Sequence, residues 1–131
     1  SDSNRTFGLA KIPKQAQQVY EIVKESQKLG LKAVKPNATC KSVDDACRDY
    51  INEKNYGKYF IHSTGHGIGL DVHELPTISY RSKTKLSKNM AITVEPGIYI
   101  PNKFGVRIED SLIVDTKPVV MHKFTKELVN L

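Results

Sequence analysis

Cysteine is scarce: Cys40 and Cys47 are the only two in 131 residues. They make no C-x-x-C and no zinc-ribbon spacing, which excludes a thiolate zinc module and a disulfide scaffold. One disulfide is formally possible; free thiols in a reducing cytosol are the expectation. Long apolar runs are missing as well, and none approaches the ~18 residues of a membrane span. The opening S-D-S-N-R-T-F lacks the charged-then-apolar layout of a secretion signal. Internal repeats and low-complexity segments are absent. Arginine is thin: Arg5, Arg48, Arg81 and Arg107 stand far apart. The lysines are scattered too, so the formal charge of +6 builds neither an RNA-binding signature nor a basic recognition helix. A lysine-rich solvated surface is expected, with no nucleic-acid and no membrane partner.

What remains is an ordinary globular composition, 39% hydrophobic and 26% charged, at the size of one modest domain. Arg5 to Ile12 reads as a strand. Pro13 suits a first helical turn. Ala16, Val19, Tyr20 and Val23 then recur at helical spacing, predicting a helix to about Leu29 with Gly30 as its stop. Ser42 reads as an N-cap with Asp45 three residues on. Val43, Ala46, Cys47, Tyr50 and Ile51 follow on one helical face. Short extended segments are expected at Tyr59 to His62 and Leu70 to His73, with a loop from Leu75-Pro76 and a polar connection from Ser79 to Asn89. Strands are expected at Met90 to Glu95, Ile98 to Ile100, Val106 to Val114 (the longest) and Val119 to His122. Helices followed by strands without β-α-β alternation predict an α+β fold with an antiparallel sheet.

Three of the four histidines crowd into F-I-H-S-T-G-H-G-I-G-L-D-V-H-E, residues 60–74: His62, His66 and His73, interleaved with Gly65, Gly67 and Gly69. Imidazole binds metals and moves protons near neutral pH. Glycine allows a tight turn or close approach to the backbone. The run is not a dinucleotide fingerprint, because its third glycine falls one residue early. Nor is it a zinc-protease helix, because S-T-G separates His62 from His66 and glycines flank the second histidine.

Strand alternation supplies the acids. Thr93 and Glu95 share one face of their strand. Arg107, Glu109 and Ser111 share a face of theirs, opposite Val106, Ile108 and Leu112. Pro96 restricts Glu95 to extended backbone. One imidazole with two carboxylates suits manganese, cobalt, iron(II) or zinc more than copper.

Three stretches are similar to the family of Xaa-Pro dipeptidases (prolidases) and Xaa-Pro aminopeptidases: S-T-G-H-G-I-G-L-D-V-H-E-L-P, V-E-P-G-I-Y-I-P and G-V-R-I-E-D. The opening S-D-S-N-R-T-F resembles that family's S-D-x-T-R-T-F, with Asn4 in place of a usual threonine. The resemblance covers essentially the whole chain. It implies a partial pita-bread fold, an antiparallel sheet with helices packed on one face, with residues 1–131 as the C-terminal half of the catalytic domain. It implies hydrolysis of Xaa-Pro bonds, from dipeptides or peptide N-termini, by a water activated by two divalent metals. Manganese or cobalt is expected, with zinc or iron as alternatives. Asp2, His66, Glu95 and Glu109 match metal ligands, and Glu95 would also accept the water's proton. His62 and His73 match imidazoles that position substrate and move protons, and Arg107 would orient Glu109 or set the site's charge. A further aspartate that the family places upstream of Asp2 lies outside this sequence, so the isolated chain is expected to be inactive. A cytoplasmic location and a homodimer of the full-length protein are expected. The alternatives are a methionine aminopeptidase, which shares G-H-G-I-G and H-E-x-P, and a metal-free pita-bread peptide-binding module.

Overall fold

The computed structural model describes residues 3–8, 11–69 and 74–130. Strand β1, Phe7–Gly8, is shorter than the expected Arg5 to Ile12. Helix α1 runs Lys14–Ala33, past Gly30. Gly30 is no stop because the helix needs its missing side chain: a Cβ there would lie 2.4 Å from the Cys47 sulfur and 3.0 Å from Val94 Cγ1. The buried stripe Val19, Tyr20, Val23, Ser26, Gln27 and Gly30 keeps helical spacing throughout.

Helix α2, Cys40–Glu53, is capped by Thr39 rather than Ser42. Thr39 Oγ1 accepts from the Ser42 amide at 3.1 Å, filling one of the orphan donors of the first turn. The two helices also lock through polar atoms: Ser26 Oγ donates to the Cys47 carbonyl at 3.0 Å, and the Cys47 thiol donates to the Ser26 carbonyl at 3.4 Å. Both cysteines are buried and free.

After α2 comes a single 3-10 turn, Gly57–Tyr59, and the short strand expected at Tyr59 to His62 does not form, residues 60–64 belonging to no strand. The remaining strands are β2 (Gly65–Gly67), β3 (Glu74–Ile78), β4 (Ala91–Val94), β5 (Gly97–Ile100), β6 (Phe104–Arg107), β7 (Asp110–Ile113), β8 (Val119–Val120) and β9 (Val129–Asn130). The expected loop after Leu75-Pro76 is thus strand β3, paired antiparallel with β2. The expected extension at Leu70 to His73 lies outside the described residues.

Five strands form one antiparallel sheet in the order β3-β2-β4-β7-β8. Strands β5 and β6 make a hairpin, and β1 pairs parallel with β9. Helix α1 rests on β4, β5 and β6, and α2 on β3. The core between helices and strands holds Ile92, Val94, Ile98, Ile108 and Leu112, all fully buried. No helix is long and apolar enough to cross a membrane among the described residues.

The long strand expected at Val106 to Val114 is broken in two. Strand β4 pairs with β7 as Val94 opposite Asp110, and β5 pairs with β6 as Gly97 opposite Arg107. One register therefore runs through both pairs. The interruption lies where Glu95-Pro96 faces Ile108-Glu109. Proline has no N–H to continue a ladder. Only the Ile108 amide reaches across to the Pro96 carbonyl, at 3.5 Å.

Candidate metal centre

The register puts two acids side by side at that interruption. Residues paired across an antiparallel ladder point to the same face. Glu95 and Glu109 therefore project together, on the face that also carries Thr93 and Arg107. Strand β2 lies on the other side of β4, with Gly67 opposite Ile92. This brings His66 beside Thr93. Gly65 permits the approach, since a Cβ there would sit 1.9 Å from the Thr93 carbonyl oxygen. Gly65–Gly67 is strand, not turn, and the described glycines all have negative φ.

His66, Glu95 and Glu109 each offer one ligand atom, and these atoms lie within 4.8 Å of one another. His66 Nε2 is 3.2 Å from Glu95 Oε1. His66 Nδ1 is 2.8 Å from the Gly67 carbonyl oxygen. A carbonyl only accepts, so Nδ1 carries a proton, and Nε2 is the ring nitrogen turned toward the carboxylates, where it would meet a cation. Metal-ligating histidines usually donate their other nitrogen in this way. Thr93 Oγ1 donates to Glu95 Oε1 at 2.9 Å and accepts from the His66 amide at 3.1 Å, so one hydroxyl sets both ligands. The donor set, one oriented imidazole and two crowded carboxylates, fits a divalent cation with oxygen and nitrogen preference.

His62, Ser63, Gly65, His66, Thr77, Glu95 and Arg107 line a cleft of about 360 Å³ beside this cluster. His62 Nδ1 donates to the Ser63 carbonyl at 2.8 Å, and Tyr99 Oη lies 2.8 Å from Nε2. Burial pushes the Tyr99 phenol pKa up, Arg107 pulls it back, and Glu95 and Glu109 add to the rise. The phenol therefore stays protonated and has a proton to donate to His62 Nε2. Arg107 Nε stands 4.0 Å from Glu95 Oε2. The guanidinium thus brings positive charge to the edge of the acid pair, beside Glu95. Asp2 and His73 lie outside the described residues.

Sequence reasoning passed over Thr93, Tyr99 and Asp110. Thr93 carried a readable signal, two residues from Glu95 on the same strand face. Tyr99 carried none, because its approach to His62 is made by folding. Asp110 sits next to Glu109 and points to the opposite side. Fully buried, it receives Arg5 Nη2 at 2.6 Å, Lys126 Nζ at 2.6 Å and Gln27 Nε2 at 2.9 Å. Arg5 also donates to the Glu109 carbonyl at 2.9 Å, tying the N-terminal segment to the residue that bears the ligand.

The model for metallopeptidase family M24 matches residues 1–116. The Xaa-Pro dipeptidase of Pyrococcus furiosus is 48% identical over 114 residues, 87% of this chain and 33% of that protein. The structure of an Xaa-Pro dipeptidase from Bacillus anthracis superposes with a TM-score of 0.97 at 48% identity, over 100% of this chain and 37% of that one. An X-Pro aminopeptidase from Thermotoga maritima superposes with a TM-score of 0.95 at 38% identity, over 100% of this chain and 38% of that one. The chain thus spans about a third of the length of the relatives it matches, and the prolidase likeness gives its helices and antiparallel sheet the pita-bread arrangement.

Proposed function

This chain belongs to metallopeptidase family M24, and from that premise we propose that the full-length protein is a cytoplasmic metallopeptidase that hydrolyses Xaa-Pro bonds, in dipeptides or at peptide N-termini. In this reading residues 1–131 are the C-terminal half of its catalytic domain. The observation that carries the proposal is the convergence of His66, Glu95 and Glu109 within 4.8 Å. The relatives' names supply the substrate class.

His66, Glu95 and Glu109, with Asp2, would hold two divalent cations, manganese or cobalt. Such a pair supplies a nucleophilic water at neutral pH and positive charge for the tetrahedral oxyanion. The chain's own residues do the rest. Glu95 accepts the proton of the attacking water. Its Oε1 is already held by Thr93, so the carboxylate does not have to be ordered during the reaction. Arg107 beside Oε2 offsets the crowding of negative charge. His62, held at both ring nitrogens, presents a fixed edge to the cleft and positions substrate. His73 donates to the reacting carbonyl.

Turnover of Leu-Pro by manganese-loaded full-length protein tests this directly. Leu-Pro should be cleaved far faster than a Met-Ala peptide. Preference for Met-Ala would make it a methionine aminopeptidase. Absence of any divalent metal after reconstitution would make it a binding module.

A further inference from the structure

Residues 60–64 belong to no strand, yet they carry His62 and adjoin the metal cluster. Backbone carbonyls outside a ladder need other partners when they are covered. Here the partner is helix α2. Asp44 on that helix is fully buried, which demands pairing. Arg48, one turn on, meets it as a fork: Nε to Oδ2 at 2.8 Å and Nη2 to Oδ1 at 3.0 Å. The same guanidinium donates through Nη1 to the Phe60 carbonyl at 3.0 Å and through Nη2 to the His62 carbonyl at 2.9 Å. It also stacks 4.1 Å from the Phe60 ring centre. An ordinary i,i+4 ion pair is exposed and contributes little to its helix. This one is turned inward and spends its donors on another segment.

Thr64 closes the arrangement. Its hydroxyl donates to Asp44 Oδ1 at 2.8 Å. Its carbonyl accepts from the Glu95 amide at 2.7 Å, and its amide donates to the Ile78 carbonyl at 2.9 Å. Asp44 is thus one residue away from the backbone of Glu95, and Arg48 holds the backbone of His62.

We propose that Asp44, Arg48 and Thr64 form a positioning clamp, through which α2 sets the place of His62 by one arm and of Glu95 by the other. The kinetic part of this inference rests on the peptidase reading. A lysine at position 48 would keep the charge but could not fork to a carboxylate and two carbonyls at once. Arg48→Lys in the full-length protein should lower kcat/KM for Leu-Pro by about 10- to 100-fold, the scale of a misplaced group. The loss should nearly vanish when His62 is already alanine, because the arm then has nothing to place. Selective ¹⁵N-histidine spectra should show His62 losing its Nδ1–H signature while His66 keeps its own. Equal losses in both backgrounds with an unchanged His62 spectrum would overturn the clamp. Thr64→Val keeps the Asp44–Arg48 pair and cuts the other arm. It should weaken Mn²⁺ binding by calorimetry about 10-fold, as loss of a group supporting a ligand does; unaltered Mn²⁺ affinity would refute that arm. If the unsubstituted protein ignores Leu-Pro, the peptidase reading fails, and the spectra and the Mn²⁺ titration still decide the clamp.

Discussion

Glu95 and Glu109 stand opposite each other at the interruption of one continuous two-strand register, between the Val94–Asp110 and Gly97–Arg107 pairs. Adjacent carboxylates repel unless a cation or a proton lies between them. The fold brings them together regardless, at the place where Pro96 ends the ladder. The arrangement makes sense as half of a cation site, and the predictions below start from it.

Removing one of the two acids should empty the site without unfolding the protein. Glu109→Ala in the full-length protein is expected to abolish Leu-Pro turnover and weaken Mn²⁺ binding. Circular dichroism should be unchanged, since Glu109 lies at a break rather than in the core. Retained turnover would remove Glu109 from the site.

The packing of α1 on α2 predicts a cost for a normally helpful change. Alanine in place of a helical glycine ordinarily gains about 1 kcal/mol. Here the new Cβ would lie 2.4 Å from the Cys47 sulfur. Overpacking of a core costs about 1–3 kcal/mol, so Gly30→Ala should destabilise. Urea unfolding should show a lower midpoint, and the cost should shrink when Cys47 is also alanine, because the colliding atom is gone.

Cys47 should be chemically silent. Burial pushes its thiol up to about 12, and the thiolate is the reactive form. Burial raises the Cys40 thiol as well. The folded protein should therefore resist iodoacetamide at pH 8 at both positions, and both should react once denaturant is added. Labelling at the rate of a free thiol before unfolding would contradict the packing.

Asp110 should make stability fall in acid. Burial alone would raise its pKa, but hydrogen bonds from Lys126, Gln27 and Arg5 outweigh burial and hold it below the usual 3.8. The folded state thus binds this proton more weakly than the unfolded state. Its contribution is complete above pH 3.8 and is lost as pH falls below that through the folded value. Asp110→Asn should flatten the acid limb of the stability curve. At pH 7 it should cost about 3 kcal/mol, near the low end for breaking a buried pair, because Lys126 still reaches solvent.

Much of the site was legible because its chemistry is local. His62, His66 and the three glycines sit in one short run. The shared faces of Thr93 with Glu95, and of Arg107 with Glu109 and Ser111, follow from strand alternation alone. The helical stripes of α1 and α2 are period signals, and the structure keeps them. The errors came where a local rule met a packing demand. Glycine favours helix ends, yet Gly30 continues a helix because Cys47 needs the space. A proline suggests a loop, yet Leu75-Pro76 lies in β3 at the edge of the sheet, where a missing donor is tolerated.

The sequence by itself determined which residue types are available, which faces they take on their own elements, and the family to which they belong. Only the tertiary structure decided who meets whom. That Glu95 faces Glu109, that one Thr93 hydroxyl serves both His66 and Glu95, and that Arg48 on a helix holds the backbone of His62 all depend on strand register and on helix docking. Those are set by the burial of Ile92, Val94, Ile108 and Leu112 against α1 and α2. Hydrophobic burial is non-directional and sums over many residues distant in the chain, so no local pattern contains it.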